Sequence, residues 1–461
     1  MLIYTQSCTF LLDADSPSGL YMRIRNTFPQ TILFESNDST HDMSGKSIIV
    51  IQPIDEFCCY KPSDGEFKKS LSAFISKFKV HQIAGNTNSI NPDSSVNGIF
   101  GYCCYDIIQG IEEIRFAERQ ALSTLDKIPS AYYALFKYVL TFDHRRQIVT
   151  VTVNSNDKDN NFDEDINRIK SIAQSALPQN IPFKAVDEIQ SAVSDDEFIE
   201  FVNKCKQYIQ RGDVFQMVPS RRFYQKYIGD EFQVYRALRT INPSPYLFFL
   251  DLHKFKIFGS SPETFLTVHN NIACLNPIAG TIKNNTDKEL LESQINALLE
   301  DKKENAEHVM LVDLARNDLS KSCFPVQVKS YKQIKSYSHV VHLVSEVIGT
   351  IAENKSALDI FCDCFPAGTV SGAPKYKAMQ LIDQLEPVNR SFYAGAIGFF
   401  GFDNSCVHAL TIRSALATDN ILHLQAGAGV VCDSVPEKEN EEIKSKIQAL
   451  VSAINYACEG I

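Results

Sequence analysis

Two pairs of carboxylates are spaced for joint work. Glu304 and Glu307 lie three apart in a segment of helical patterning, and Glu439 and Glu442 repeat that spacing in EKENEEIKSK, so each pair emerges on one helix face. Carboxylates and water are the ligands of a hard cation such as Mg2+, commonly held by one or two protein carboxylates plus an anionic substrate. Spacing alone favours two solvated acidic faces. Two glycine-rich segments add anion chemistry. In FPAGTVSGAPK, Gly368, Thr369, Ser371 and Gly372 precede a helix whose N-terminal amides and dipole suit an anion. In LQAGAGVVCDS, Gly427 and Gly429 end a strand, where absent side chains let backbone N–H groups approach a carboxylate. Tight turns need the same glycines, and neither segment matches a phosphate-binding loop or a dinucleotide fingerprint. His342 sits in a β-branched run, and Arg413 is a cation inside an apolar strand pattern, where a buried guanidinium wants a carboxylate partner.

The elements that must position these groups are mixed. Strand-like runs at Thr31–Glu35, Ser47–Ile51, Ala134–Phe142 and Ile148–Val153 are bounded by Asn, Asp, Ser and Gly clusters, which predicts antiparallel sheet. The Pro-containing stretch Ala176–Ala192 reads as a connector, separating an N-terminal region of residues 1–175 from a region of residues 193–461. Beyond it, Ser194 and Glu197 form a capping box ahead of Phe198, Val202, Cys205 and Ile209 at helical spacing, with Gly212 as the stop. Further helices are predicted at Thr286–Glu300, Lys302–Leu319 and Lys375–Leu385, the last between Pro374 and Pro387. Strands are predicted at Tyr246–Leu250, Lys256–Phe258, Val340–Ile348, Gly395–Phe400, Cys406–Ser414 and Ile421–Gln425. The fold class is α+β.

Composition narrows the function classes. The 461 residues are 44% hydrophobic and 22% charged, as in an ordinary globular protein. Net charge is -10 without any basic block, so a nucleic-acid surface is not expected. No secretory signal pattern and no apolar run near the roughly 18 residues of a membrane span are present, and a cytoplasmic protein is expected. Thirteen cysteines, an odd number without a CxxC, read as reduced small hydrophobes. There is no Trp.

From about residue 195 onward, GDVFQMVPSRRF, NPSPYLFFL, GSSPE, NPIAGT, EHVMLVDLARNDL, SHVVHLVSEVIGT, FPAGTVSGAPK, IRSAL and QAGAGVVCDSVPEKENEE occur in the order found in the chorismate-utilising enzymes, which the chain resembles. Within them it is most similar to the anthranilate synthase component I branch of tryptophan biosynthesis. The resemblance implies two large antiparallel sheets packed as an α/β/β/α sandwich, with an active-site cleft between halves that fold as one intertwined unit. It implies Mg2+ at Glu304, Glu307, Glu439 and Glu442, foremost at Glu307 and Glu442. Chorismate is implied at Gly280, Thr281, Thr369, Tyr393, Arg413, Gly427, Ala428, Gly429 and Lys446, with Arg413 on the enolpyruvyl carboxylate.

Glu263, in SSPE, is implied to protonate the departing C4 hydroxyl, and His342 to assist the loss of pyruvate. Relatives that add water carry a lysine where this chain has Gln216, and relatives forming 4-amino-4-deoxychorismate carry a nucleophilic lysine where it has Ala279. Both positions point to ammonia as nucleophile. No segment resembles a glutamine amidotransferase, so the resemblance implies that activity in a partner subunit. It also implies a tryptophan pocket at Glu35, Ser36, Lys46, Pro245, Tyr246 and Leu247. Phe34, Leu247, Ala394 and the segment after Thr281 depart from the family pattern. Competing readings are an aminodeoxychorismate synthase component I of folate synthesis and a non-catalytic tryptophan-binding regulatory paralogue.

Overall fold

Alternation along the strands sorts the apolar side chains into three cores. In strand Lys46–Cys59, for example, Ile49 and Ile51 join one core and Ile48 and Val50 another. In the computed structural model, which describes residues 1–12, 15–36, 46–62, 65–83, 96–117, 119, 128–284, 287–336 and 340–460, these cores are the seams of four layers. The first seam packs helices Pro17–Arg25, Phe162–Ala173, Asp195–Gln210, Phe232–Ile241 and Pro436–Glu459 onto one sheet surface. The middle seam is built chiefly from strand residues such as Ile32, Val50, Phe136, Phe248, Ile257 and Phe399, so it lies sheet against sheet. The third carries helices Glu66–Ser76, Lys302–Ser320 and Ala357–Cys364 on the opposite surface. The order is α/β/β/α.

Among the described residues twenty strands form one continuous ladder, antiparallel except where Leu2–Leu11 pairs with Lys79–Gln82. The long pair Lys46–Cys59 and Ala131–Asp143 explains the continuity. Its register shifts between Pro53 and Asp55 beside Gln52, which has φ +61. Past that corner the inward residues change core: Tyr138 and Leu140 belong to the first seam, Tyr133 and Leu135 to the third. The pair therefore passes from one sheet into the other at a bulge. Sequence-distant strands also interleave. Thr31–Ser36 pairs with Tyr246–Asp251, and Gly98–Cys103 with Ala396–Gly401.

The capping box is present in full, with Glu197 N donating to Ser194 Oγ at 3.2 Å and Ser194 N to Glu197 Oε2 at 2.7 Å. Three expectations need correction. The segment read as a connector contains strand Phe183–Ser191, paired with Ser220–Gly229; its mostly exposed, polar character concealed an edge partner. The helix expected from Thr286 begins at Lys288, because Asp287 caps it by accepting from Glu289 N and Leu290 N. The run Cys406–Ser414 is two strands, Cys406–Leu410 and Ser414–Thr418, broken at Arg413 with φ +50. All thirteen cysteines are free thiols. No helix among the described residues is long and apolar enough to cross a membrane.

Candidate active site

Strand Ile421–Gly427 pairs with Ser220–Gly229, and beyond its end Val430 bridges to Met217. The chain is closely covered there. A Cβ on Gly427 would stand 2.9 Å from both the Tyr393 hydroxyl and the Pro219 carbonyl, and one on Gly429 3.1 Å from Gln216 Nε2. Glycine is thus required at 427, where the backbone carbonyl cannot give way, while a side chain at 429 would press on the Gln216 amide. Gln216 is 2% exposed; its Nε2 donates to Glu307 Oε1 at 2.7 Å, while its Oε1 has no hydrogen-bond partner.

Glu307 projects from helix Lys302–Ser320, which Asp301 caps by accepting from Glu304 N at 2.9 Å. On the same helix Glu304 reaches Gly280, where a Cβ would come 3.4 Å from its Oε2. The Gly280 carbonyl accepts from His342 Nδ1 at 3.2 Å across the ladder that sets Thr281 opposite His342. Burial, opposed by that hydrogen bond and reinforced by the charge of Arg413, pushes the His342 pKa down. The imidazole is accordingly neutral near pH 7, with the hydrogen bond assigning its proton to Nδ1.

A second helix, Pro436–Glu459, closes the other side. Lys446 Nζ pairs with Glu442 Oε1 at 2.6 Å and donates to the Gly427 carbonyl at 2.8 Å. Glu439 is buried one turn earlier. Arg413 Nη1 donates to the Lys446 carbonyl at 3.0 Å, and Glu442 and Tyr393 act on its charge. The expected carboxylate partner of Arg413 is therefore a helix carbonyl aided by the field of Glu442. The left-handed turn at Arg413, and not an extended strand, brings it there.

Glu263 lies between strands Lys256–Ser261 and Thr264–His269. Burial raises its pKa to about 7, against the Thr369 hydroxyl, which donates to Oε1 at 2.6 Å, and the charge of Lys446. A carboxyl with a pKa near neutrality is protonated in a substantial fraction of molecules at pH 7 and can deliver that proton. Tyr393, 4% exposed and pushed up to about 12 chiefly by burial, stays a neutral phenol.

The structure thus connects Glu263 with Thr369; His342, Gly280 and Glu304 with one another; Gln216 with Glu307 and Gly429; and Tyr393, Arg413, Glu442 and Lys446 with Gly427. Ala428 N donates to the Pro219 carbonyl at 3.2 Å and so is committed to the fold. Among the described residues no three His, Cys, Asp or Glu side chains are gathered as metal ligands. Glu307 and Glu442 instead approach the same 427–429 segment from two different helices.

The sequence did not single out the buried pair Glu386 and Arg390, which binds the site walls together. Arg390 donates to the Val370 carbonyl at 2.6 Å, to the Val218 carbonyl at 2.5 Å and to Glu386 Oε1 at 2.7 Å, and its guanidinium lies 5.7 Å from the Tyr393 ring centroid. Glu386 Oε1 also accepts from Ser220 N and Oγ, each at 2.7 Å. Pro387 between them hid the i,i+4 relation; the remaining signal was two opposite charges flanking Pro-Val-Asn. Glu386→Gln leaves a buried guanidinium uncompensated and is expected to cost about 3–5 kcal/mol, read as a lowered thermal unfolding midpoint.

A sequence model of the chorismate binding enzyme family matches residues 29–452. The chain belongs to that family. It is 36% identical to anthranilate synthase component 1 of Acetivibrio thermocellus, over 98% of this chain and 91% of that one. It is 34% identical to the protein of that name from Aquifex aeolicus, over 99% and 95%. Among solved structures it is similar to anthranilate synthase component I from Streptococcus pneumoniae (TM-score 0.77, 28% identity, 96% of this chain and 99% of that one). The menaquinone-specific isochorismate synthase from Escherichia coli shares the fold (TM-score 0.74, 18% identity, 98% and 94%).

This chorismate binding enzyme also has a cavity between its two sheets. Phe34, Glu35, Ser36, Lys46, Tyr246 and Leu247 line it together with Ile397, Phe399 and Val407. Cross-strand register sets Ser36 opposite Tyr246 and Glu35 opposite Leu247. The Glu35 carboxylate turns toward the helix layer, accepting from the Tyr235 hydroxyl at 2.6 Å and pairing with Arg239 Nε at 3.1 Å. Pro245 is buried just before this strand and is not among the lining residues.

Proposed function

We propose that this protein is the chorismate-converting component of an anthranilate synthase, forming anthranilate and pyruvate with ammonia as the nucleophile. The observation that carries the reading is a buried Glu263 carboxyl, held by Thr369 and raised by burial to a pKa of about 7, in a cleft where neither Gln216 nor the buried Ala279 offers an amine to activate water or form a covalent adduct. Full-length likeness to proteins named anthranilate synthase component 1 supports it.

In this reading Glu263 gives its proton to the C4 hydroxyl as ammonia attacks C2 of the ring. Thr369 holds the Glu263 carboxyl, and Arg413 receives the enolpyruvyl carboxylate beside Tyr393. Neutral His342 assists the proton loss that accompanies release of pyruvate and aromatisation. Glu304, Glu307, Glu439 and Glu442 are the hard oxygen donors that would hold Mg2+, which when bound would supply charge neutralisation at the substrate's ring carboxylate. Ammonia comes from glutamine on an amidotransferase partner subunit, in the cytoplasm. The cavity at Phe34, Ser36 and Tyr246 takes L-tryptophan as a feedback inhibitor.

With chorismate, Mg2+ and ammonium, the purified chain is expected to release fluorescent anthranilate with equimolar pyruvate, and with glutamine in place of ammonium to release none. Accumulation of 4-amino-4-deoxychorismate without pyruvate would refute the assignment. Chelation with EDTA abolishes turnover, and added Mg2+ restores it. Because the chain contains no Trp, bound tryptophan is the only indole present. Its emission shifts to the blue on binding, and Ser36→Phe, which fills the cavity, removes both the shift and the inhibition.

A further inference from the structure

Behind Glu263, on the side lined by helix Lys302–Ser320, lies a cavity of about 50 Å³ that the proposed chemistry has not used. Glu263 and Thr369 form one wall, so their hydrogen bond is shared between the cleft and this cavity. Asn276 and Asp318 also border it. Leu311 and Leu314 make it largely apolar, which disfavours entry of an ion. Asn276 is 7% exposed; its Oδ1 accepts from Cys274 Sγ at 3.6 Å, but its Nδ2 has no hydrogen-bond partner in the protein. Asp318 accepts from Lys375 Nζ at 2.7 Å. A buried, unpaired amide donor in a cavity that two carboxyl-bearing residues also line is a seat for water and not for apolar packing.

We propose that this cavity is a water chamber through which the hydroxyl expelled from C4 leaves as water and Glu263 recovers its proton, with Asn276 as the positioning residue that holds the relaying water. The inference rests on the function proposed above. Its balance is closed: the C2–N bond forms, the C4–O bond breaks, and the Glu263 proton converts the departing hydroxide to water. The C2 ammonium then releases one proton to solvent, and the chamber water that reprotonates Glu263 takes one proton back from solvent, so no hydroxide is left behind. No oxidant or further reactant is needed.

The test uses the purified full chain with chorismate, Mg2+ and ammonium. Asn276→Leu removes the donor at similar volume. It is expected to lower kcat about tenfold, to leave KM for chorismate and for ammonium within about twofold, and to enlarge the solvent deuterium isotope effect on kcat as proton return becomes limiting. Asn276→Ser, which restores a donor, recovers most of the turnover. Ala315→Leu, which narrows the chamber from the helix wall, reproduces the isotope effect. Unchanged kcat and isotope effect in Asn276→Leu overturn the proposal. So does a raised KM for ammonium with intact kcat, which would make the cavity an ammonia route. So does an equal loss in Asn276→Leu and Asn276→Ser that follows their thermal midpoints. A wild-type chain that turns over no chorismate refutes the proposed function itself, and is distinguishable by that control.

Discussion

Glu263→Gln is expected to lower kcat by about 10²–10⁴-fold, the usual contribution of a positioned general acid, while chorismate binding stays within about threefold. The amide keeps the shape and can still accept from Thr369 Oγ1, but has no acidic proton. Near-normal turnover would remove Glu263 from the reaction. Burial raises the carboxyl from 4.5 to about 7, so wild-type kcat is high below that value and falls as pH rises through it. The same shift has a stability consequence of definite sign. The folded-state pKa lies above the unfolded one, so the favourable contribution is complete below pH 4.5 and is lost as pH rises through about 7. Relative to wild type, Glu263→Gln therefore gains in thermal midpoint at pH 8 and not at pH 4. Differential scanning calorimetry at the two pH values measures it.

Arg413→Ala is expected to weaken chorismate binding by about 10–150-fold, the range of a charge-assisted hydrogen bond of about 1.5–3 kcal/mol. Among the described residues the guanidinium is tied to the fold by its bond to the Lys446 carbonyl, and its charge is felt by Tyr393 and Glu442. Arg413→Lys retains charge but not the fork and should recover only part of the loss. Isothermal titration with chorismate separates this from a catalytic defect; affinity equal to wild type would remove Arg413 from the substrate site.

Much of this site could be read from the chain before any coordinates. The carboxylate pairs could be placed because i,i+3 spacing on a helix is local, and the same locality made Ser194 with Glu197 and the helix Lys375–Leu385 legible. Family motifs supplied what spacing could not, including Glu263; the glycines at 427 and 429 were legible from their place at a strand end. Three kinds of feature stayed hidden. Arg413 looked like a strand residue because nothing in ALTIRSAL announces a left-handed turn. Strand Phe183–Ser191 was obscured because its pairing comes from Ser220–Gly229 and not from its own alternation. The contacts of Arg390 join carbonyls on two segments remote in sequence, and such carbonyls carry no side-chain signature.

The interleaved ladder also sets an order of events during synthesis. Strand Gly98–Cys103 finds one neighbour in Ala131–Asp143 soon after it leaves the ribosome, but its other edge waits for Ala396–Gly401, some 290 residues later. At about 5–20 residues per second that is a delay on the order of 15–60 s. Throughout it, an all-apolar edge is open to other nascent chains, so yield in a cell is governed by what shields that edge while the ribosome finishes.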